Sequence, residues 1–84
     1  MSQYTVDDLR RTVDACLGTA TAQALAQERL DHPFTDLGYD SLAVYEIATR
    51  LEDELGVAIS DAEIDRLTTP AALLDMVNSK LAGV

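Results

Sequence analysis

One serine in this sequence stands where its hydroxyl could carry a covalently attached group. Ser41 follows Asp40, whose side chain favours the N-cap of a helix, so Ser41 falls at the first helical position. A hydroxyl there points outward, beside unsatisfied backbone N–H groups and the positive end of the helix dipole. Gly38 permits a backbone turn just before it. This location favours an attached anionic group, above all a phosphate ester.

Three interpretations of Ser41 are open on this motif alone. It could simply start a helix, it could be a catalytic nucleophile, or it could be a covalent attachment site. The nucleophile interpretation lacks support, because the pattern G-x-S-x-G is missing and the one histidine, His32, directly precedes Pro33 in a predicted loop. An attachment site needs no base in this chain, since another enzyme performs the reaction.

The helix predicted to begin at Asp40 or Ser41 has an acidic side that faces away from its apolar stripe. At about 100° per residue, the apolar stripe comprises Val44, Ile47, Ala48, Leu51 and Leu55. The opposite side carries Leu42, Glu46, Thr49 and Asp53, and it is flanked by Tyr45 and Glu52. Acids downstream of a modified serine would steer a basic partner toward it, with Leu42 as an apolar contact. The alternative is that these acids only keep the helix soluble.

The charge of the whole chain narrows the possible partners. Fifteen Asp and Glu against six Lys and Arg give the 84 residues a formal net charge of −9. Such a chain repels phosphate backbones and anionic membranes, so no nucleic-acid or membrane partner is expected. Apolar residues make up 48% of the chain, which is typical of a globular protein. This length predicts one small domain over residues 1–84, without a deep enclosed active site.

Neither a metal site nor a disulfide is expected. Cys16 is the single cysteine, so it cannot form an internal disulfide or build a zinc site. Its helical spacing with Leu9 and Val13 predicts a buried, inert thiol. The sequence shows neither a signal peptide nor an apolar stretch near the roughly 20 residues that cross a bilayer. We therefore expect a cytoplasmic protein, and a monomer, because no spare apolar helix face is left for a dimer.

Four helices are predicted, three long and one short, which makes the chain an all-α helical bundle. They run from Val6 to Leu17, from Asp40 or Ser41 to Leu55, from Ser60 to about Leu67, and from Pro70 to just before Gly83. Capping boxes at Thr5 and Ser60 and an N-cap at Thr69 mark three of the starts. The last helix is expected to face the core with Leu74, Val77 and Leu81.

The segment 19–39 is a long connection, and its structure is left open by the sequence. One possibility is a helical turn or two containing Ala22, Leu25, Ala26 and Leu30. The other is an ordered loop that packs through Leu30, Phe34 and Leu37. Tyr39 and Tyr45 are expected to be partly buried packing residues, with a path for a bound group as the alternative.

The stretch Asp40-Ser41-Leu42 at a helix start, preceded by Leu37-Gly38, resembles the phosphopantetheine attachment motif of acyl carrier proteins. The resemblance extends from the first helix to the last and covers nearly the whole chain. Within that family the chain is most similar to the carriers of bacterial type II (aromatic) polyketide synthases. Residues 37–43, 48–52 and 69–75 carry this closer likeness.

The resemblance implies that Ser41 receives phosphopantetheine from coenzyme A through a separate phosphopantetheinyl transferase. Ser41 would then be an anchor and not a catalyst, and the protein a non-catalytic carrier of acyl thioesters. Asp40 and Leu42 match the attachment motif and would help the transferase to recognise the serine. The residues that match the family's partner-recognition positions are Glu46, Glu52, Asp53 and Asp61. Thr49 and Ala43 differ from the methionine and the acid that fatty-acid carriers often have there, so the partner surface is expected to differ.

The function implied is that of a carrier in polyketide assembly, which accepts malonyl units and holds the growing chain. The implied partners are the transferase, a malonyl transferase, a ketosynthase with its chain-length factor, and tailoring enzymes. Two alternatives are kept: a carrier of fatty-acid synthesis, and an acidic protein-interaction domain with no carrier role.

Overall fold

Four α-helices make up the fold in the computed structural model, which describes residues 3–18, 22–23, 25 and 29–82. They are α1 (Val6–Leu17), α2 (Ser41–Leu55), α3 (Asp61–Asp65) and α4 (Pro70–Leu81), with a 3-10 turn over Phe34–Leu37 before α2. These residues contain no strand, so the predicted all-α bundle of three main helices and one short helix is confirmed. Over the same ranges, no helix combines the length and apolar character needed to cross a bilayer.

The predicted capping residues start three of the helices. At α1, the Thr5 hydroxyl oxygen accepts the Asp8 N–H at 3.3 Å, and the Asp8 carboxylate accepts the Thr5 N–H at 2.9 Å. The same reciprocal pair forms at α3 between Ser60 and Glu63. At α4, the Thr69 hydroxyl accepts the Ala72 N–H at 3.1 Å. These bonds satisfy donors that a helix start would otherwise leave unpaired.

The short helix α3 ends earlier than predicted. It stops at Asp65, with Arg66 as its C-cap, and does not reach Leu67. Leu67 turns into the core and is 6% exposed. The chain therefore leaves the helix in order to bury an apolar side chain before α4 begins.

One hydrophobic core lies between the helices. Its fully buried aliphatic members include Leu9, Val13, Leu25, Ile47, Leu51, Leu73 and Val77. In α4 the core face is centred on Leu73 and Val77, whereas Leu74 and Leu81 are only partly buried. The prediction is therefore confirmed for Val77, while Leu74 and Leu81 pack at the edge of the core and the buried Leu73 was not predicted. Hydrogen bonds from Phe34 N–H to Thr68 O at 2.8 Å and from Ala71 N–H to Leu30 O at 3.0 Å fix how the chain enters α4.

Within residues 19–39, the described residues fit parts of both alternatives, because Ala22 is helical, with its N–H donating to the Gly18 carbonyl at 3.1 Å, whereas the later residues form an ordered loop. Phe34 and Leu37 are buried and Leu30 is partly buried. Ala22 and Leu25 are also buried, and the Arg10 Nε–H donates to the Leu25 carbonyl at 2.5 Å, which ties this segment to α1. The 3-10 turn was not predicted, and Ala26 lies outside the described residues.

Candidate functional site

The start of α2 places Ser41 at the surface. Asp40 is the N-cap, with an extended backbone, and its Oδ1 accepts the Ala43 N–H at 2.8 Å. Ser41 is therefore the first residue of α2, and its side chain is exposed. The structure thus has the predicted local geometry, in which the hydroxyl lies beside the unpaired N–H groups of a helix start.

A rigid turn leads into this helix start. Gly38 ends the 3-10 turn in the left-handed region, at φ +87°, where a side chain would be strained. The next residue, Tyr39, is 2% exposed, and its ring centroid lies 5.5 Å from that of Phe34. Burial, and then the nearby Cys16, raises the pKa of Tyr39 to about 12. This buried aromatic pair anchors the loop that carries Asp40 and Ser41.

An open groove lies on one side of Ser41, between the 3-10 turn, the first turn of α2, and α3; we call it the α3 groove. It encloses about 610 Å³. Its apolar lining includes Phe34, Val44, Ile64 and Leu67. Polar groups at Thr35, Ser41, Asp65 and Thr68 also line it. A flexible group attached at Ser41 would therefore have apolar surface beside its point of attachment.

The two tyrosines differ in their roles at this groove. Both Tyr39 and Tyr45 line it, which fits the alternative interpretation of these residues. Tyr39 is a core residue, whereas Tyr45 is 47% exposed and its hydroxyl donates to the Asp61 carboxylate at 3.5 Å. Tyr45 is therefore not the partly buried packing residue that the sequence suggested.

A smaller recess lies on the other side of the α2 start; we call it the α1 recess. It encloses about 270 Å³. Its lining residues are Leu17, Gly38, Asp40, Leu42, Ala43 and Glu46. Asp40 and Leu42 line both the α1 recess and the α3 groove, so the helix start forms the ridge between them.

Most of the predicted recognition residues are exposed to solvent. Leu42 is 64% exposed, and Glu46, Thr49, Asp53 and Asp61 are exposed as well. Glu52 differs, because it is partly buried and its Oε2 accepts the Ile59 N–H at 3.0 Å. The structure gives Glu52 a role in holding the connection from α2 to α3, in addition to any contact with a partner.

Neither a reactive thiol nor a metal site is found in the described residues. The Cys16 thiol is partly buried, donates to the Thr12 carbonyl at 3.1 Å, and has its pKa raised by burial. It is thus kept protonated, as expected of an inert thiol, although it is less buried than predicted. Among the same residues, no group of three or more His, Cys, Asp and Glu side chains is arranged to hold a metal ion.

Sequence reasoning missed the residues that form the walls of the groove and the recess. Ile64 and Leu67 follow the Ser60 capping box, and the sequence shows that both are apolar. It does not show that they line the same groove as Ser41. Leu17 was predicted only as the last residue of the first helix, and the structure shows that it is partly buried and also lines the α1 recess. Both surfaces arise from segments distant in sequence, and helical periodicity carries no information about such contacts.

The site fits a covalently attached phosphate ester. No acidic residue lies in the first turn of α2 itself, and the Asp40 carboxylate is engaged by the Ala43 N–H. A phosphate on Ser41 would therefore lie at the positive end of the α2 dipole. Because Ser41 is exposed, adding a large group displaces no packed side chain.

Comparison with known proteins gives consistent matches over nearly the full length. Residues 11–77 match the phosphopantetheine attachment site family. The chain is 46% identical to the granaticin polyketide synthase acyl carrier protein of Streptomyces violaceoruber, over 98% of this chain and 96% of that protein. It is 47% identical to the actinorhodin polyketide synthase acyl carrier protein of Streptomyces coelicolor, over 93% and 91% of the two chains.

Solved structures give the same result for the fold. The structure is similar to that of 3-oxo-butyl-ACP from the actinorhodin polyketide synthase of Streptomyces coelicolor, with a TM-score of 0.83 and 43% identity, covering 99% of this chain and 96% of that chain. It is also similar to the apo form of the actinorhodin carrier, with a TM-score of 0.83 and 44% identity, over 96% and 94% of the two chains.

Proposed function

The chain belongs to the phosphopantetheine attachment site family as an acyl carrier protein, and we propose that Ser41 is the residue that bears its prosthetic group. Like the polyketide synthase carriers that it resembles, the protein is a non-catalytic carrier with covalently attached phosphopantetheine, and it serves polyketide biosynthesis. Within that function, we propose that it accepts malonyl units and holds the growing chain. Residues 1–84 form a single carrier domain in this proposal.

The observation that carries the assignment to Ser41 is its exposed position at the first residue of α2, beside the α3 groove. When attached, phosphopantetheine supplies a thiol on a flexible tether, to which acyl groups are joined as thioesters. The chain's own residues hold and present this anchor. Asp40 fixes the helix start through the Ala43 N–H, and Leu42 offers an exposed apolar contact to the transferase.

The α3 groove is suited to shelter part of the cargo. Its apolar lining lies next to the anchor, so burying a methylene group there would contribute about 0.8 kcal/mol. The solved carriers of the actinorhodin synthase include forms with 3-oxo-butyl and 3,5-dioxohexyl groups. We propose cargo of the same class for this chain, with the polar edge of the groove near the carbonyl groups.

The proposed partners are the enzymes that load, extend and modify this cargo. They comprise a phosphopantetheinyl transferase, a malonyl transferase, a ketosynthase with its chain-length factor, and tailoring enzymes. A carrier must bind each one briefly, which requires small interfaces steered by charge and weakened by salt. The exposed acids Glu46, Asp53 and Asp61 supply that charge. We propose that the protein works as a monomer in the cytoplasm.

Elongation assays with two kinds of ketosynthase test this function. The protein is first loaded with phosphopantetheine and malonate. It is then offered at equal concentration to a type II polyketide ketosynthase with its chain-length factor and to a fatty-acid ketosynthase. We expect faster elongation by the polyketide enzyme. Faster elongation by the fatty-acid enzyme would contradict the pathway, and failure of every transferase to load the chain would leave only an acidic interaction domain.

A further inference from the structure

We infer that the Tyr45 ring is a stop that limits how much of an acyl chain the α3 groove shelters. The inference rests on the proposed carrier function, in which Ser41 bears the arm and the groove receives the cargo. It makes Tyr45 a specificity-determining residue, because a chain longer than the groove would leave its outer carbon atoms in water.

The two walls of the groove run in opposite directions. One wall is the first turn of α2, which begins at Ser41 and reaches Tyr45 about one turn later. The other wall begins at Asp61, the first residue of α3, and continues to Thr68. The Phe34 N–H donates to the Thr68 carbonyl at 2.8 Å, so this second wall ends beside the 3-10 turn that leads into α2. The anchor therefore lies at one end of the groove, and Tyr45 and Asp61 lie at the other.

Tyr45 closes this far end. Its side chain lines the groove, and its hydroxyl reaches across to the Asp61 carboxylate on α3, with 3.5 Å between the two oxygen atoms. The ring thus spans the gap between the two walls. Because this distance exceeds the ~2.8 Å of an ordinary O–H···O hydrogen bond, the bond is weak. The bulk of the ring, and not the hydroxyl, therefore forms the stop.

The exposure of Tyr45 fits this role better than a role in folding. Tyr45 is 47% exposed, whereas Tyr39, the other tyrosine at the groove, is 2% exposed. A core tyrosine stabilises the fold through burial of its ring, and much of that burial is missing at Tyr45. Truncating Tyr45 to alanine, the residue with the highest helix propensity, should therefore open the groove while the protein stays folded.

A stop at this position sets a length limit for the cargo. Each methylene group that enters the apolar groove should favour the sheltered state about fourfold. Carbon atoms that cannot pass the ring gain nothing from the groove. Sheltering should consequently increase with acyl length and then level off, and removal of the ring should extend the increase to longer chains.

Cleavage of the thioester by hydroxylamine measures sheltering without any partner enzyme, since a sheltered chain holds its thioester against the protein. A broad-specificity transferase first loads the protein completely from butyryl-, hexanoyl-, octanoyl-, decanoyl- or dodecanoyl-coenzyme A. We expect the cleavage rate of the wild-type protein to fall with acyl length and then to level off. In Tyr45→Ala the rate should keep falling, and for the longest group it should be about fourfold or more below the wild-type rate.

Two control variants isolate the effect of the ring. Tyr45→Phe keeps the ring and loses the hydroxyl, so it should level off at the same acyl length as the wild-type protein. Arg50→Ala truncates another long side chain of α2, which is also 47% exposed but lies outside the groove, and it should behave like the wild-type protein. Circular dichroism verifies that each variant folds. If Tyr45→Ala does not fold, Tyr45→Leu, whose side chain is shorter than tyrosine, decides by the same comparison.

The outcomes separate this inference from the proposed function. If Tyr45→Ala levels off at the same acyl length as the wild-type protein, or if Tyr45→Phe behaves like Tyr45→Ala, the ring is not the stop although Ser41 remains the anchor. A wild-type rate that does not depend on acyl length would refute sheltering in the groove, and this inference with it, but not attachment at Ser41. Absence of loading in the wild-type protein refutes the carrier function itself.

Discussion

Glu52 accepts a hydrogen bond from the backbone N–H of Ile59, with 3.0 Å between its Oε2 and the amide nitrogen. Ile59 itself is buried, at 5% exposure, just before the cap of α3. This bond joins the last turn of α2 to the segment that positions α3, which forms one wall of the α3 groove. Glu52 thus serves the fold, while its predicted contact with partners is still to be tested.

Replacing Glu52 should destabilise the protein as well as affect docking. Glu52→Ala removes the acceptor of a partly buried N–H, and we expect a loss of about 1 kcal/mol in the free energy of unfolding. Urea denaturation measures this loss, and hydrogen exchange at the Ile59 amide should become faster. Asp53→Ala, whose side chain is exposed, is the control and should stay close to wild type. Equal stability of the two variants would show that the bond contributes little.

Asn78 joins the two ends of the described chain. Its Oδ1 accepts the Tyr4 N–H at 2.7 Å, and its Nδ2 donates to the Tyr4 carbonyl at 3.0 Å. Asn78→Ala leaves both backbone groups of a buried residue without this partner, so we expect a loss of about 1–3 kcal/mol. Thermal unfolding measures the stability of this variant and of the control Ser79→Ala, which should lose much less stability. A loss no greater than that of the control would contradict a stabilising role for the pair.

Tyr39 should limit stability at alkaline pH. Burial raises its pKa from the ordinary 10.0 to about 12, since the charged phenolate is poorly accommodated in the core. The stability that comes from burying the neutral Tyr39 hydroxyl is therefore present in full below pH 10.0 and is lost as the pH rises through about 12. The Tyr39→Phe variant should lose less stability across this range than the wild-type protein. Identical alkaline profiles in urea denaturation would contradict this prediction.

Glu63 should make the position of α3 sensitive to acid. Its carboxylate accepts the Ser60 N–H at 3.0 Å and lies 2.9 Å from the Lys80 ammonium, and these two contacts, the first above all, lower its pKa. The stabilisation is present above the unfolded pKa of about 4.3 and is lost as the pH falls through the lower folded value.

The Glu63→Gln variant keeps a side chain of similar size but cannot ionise. We expect NMR signals of α3 to shift with acid in the wild-type protein and to lose that dependence in the variant. Asp75→Asn should keep the wild-type profile. If the acid response is unchanged in Glu63→Gln, other carboxylates cause it. One such carboxylate is Asp8, whose pKa is also lowered, mainly by the hydrogen bond from the Thr5 N–H.

Local signals in the sequence predicted the helix starts well. The capping boxes at Thr5 and Ser60, and the Asp40 cap before Ser41, each involve residues within three positions of one another. Their bonds form whenever the helix forms, so sequence spacing alone identifies them. This is why the position of Ser41 at the first residue of α2 could be predicted without knowledge of the tertiary structure.

Features that depend on distant contacts could not be predicted in this way. Leu73 is fully buried in α4 and Leu74 only partly, and the chain enters this helix through hydrogen bonds from Ala71 to Leu30 and from Phe34 to Thr68, both distant in sequence. The inward bond of Glu52 depends on where the connector places the Ile59 N–H. Helical periodicity assigns side chains to faces of a single helix, but other segments decide which of those faces is covered.

Intact-mass spectrometry after incubation with coenzyme A and a broad-specificity phosphopantetheinyl transferase tests the central claim most directly. We predict that the wild-type protein and Ser79→Ala, at an exposed serine of α4, each gain one phosphopantetheine. Ser41→Ala should gain none while its circular dichroism stays helical. Loading of the folded Ser41→Ala variant would contradict the assignment of Ser41 as the anchor.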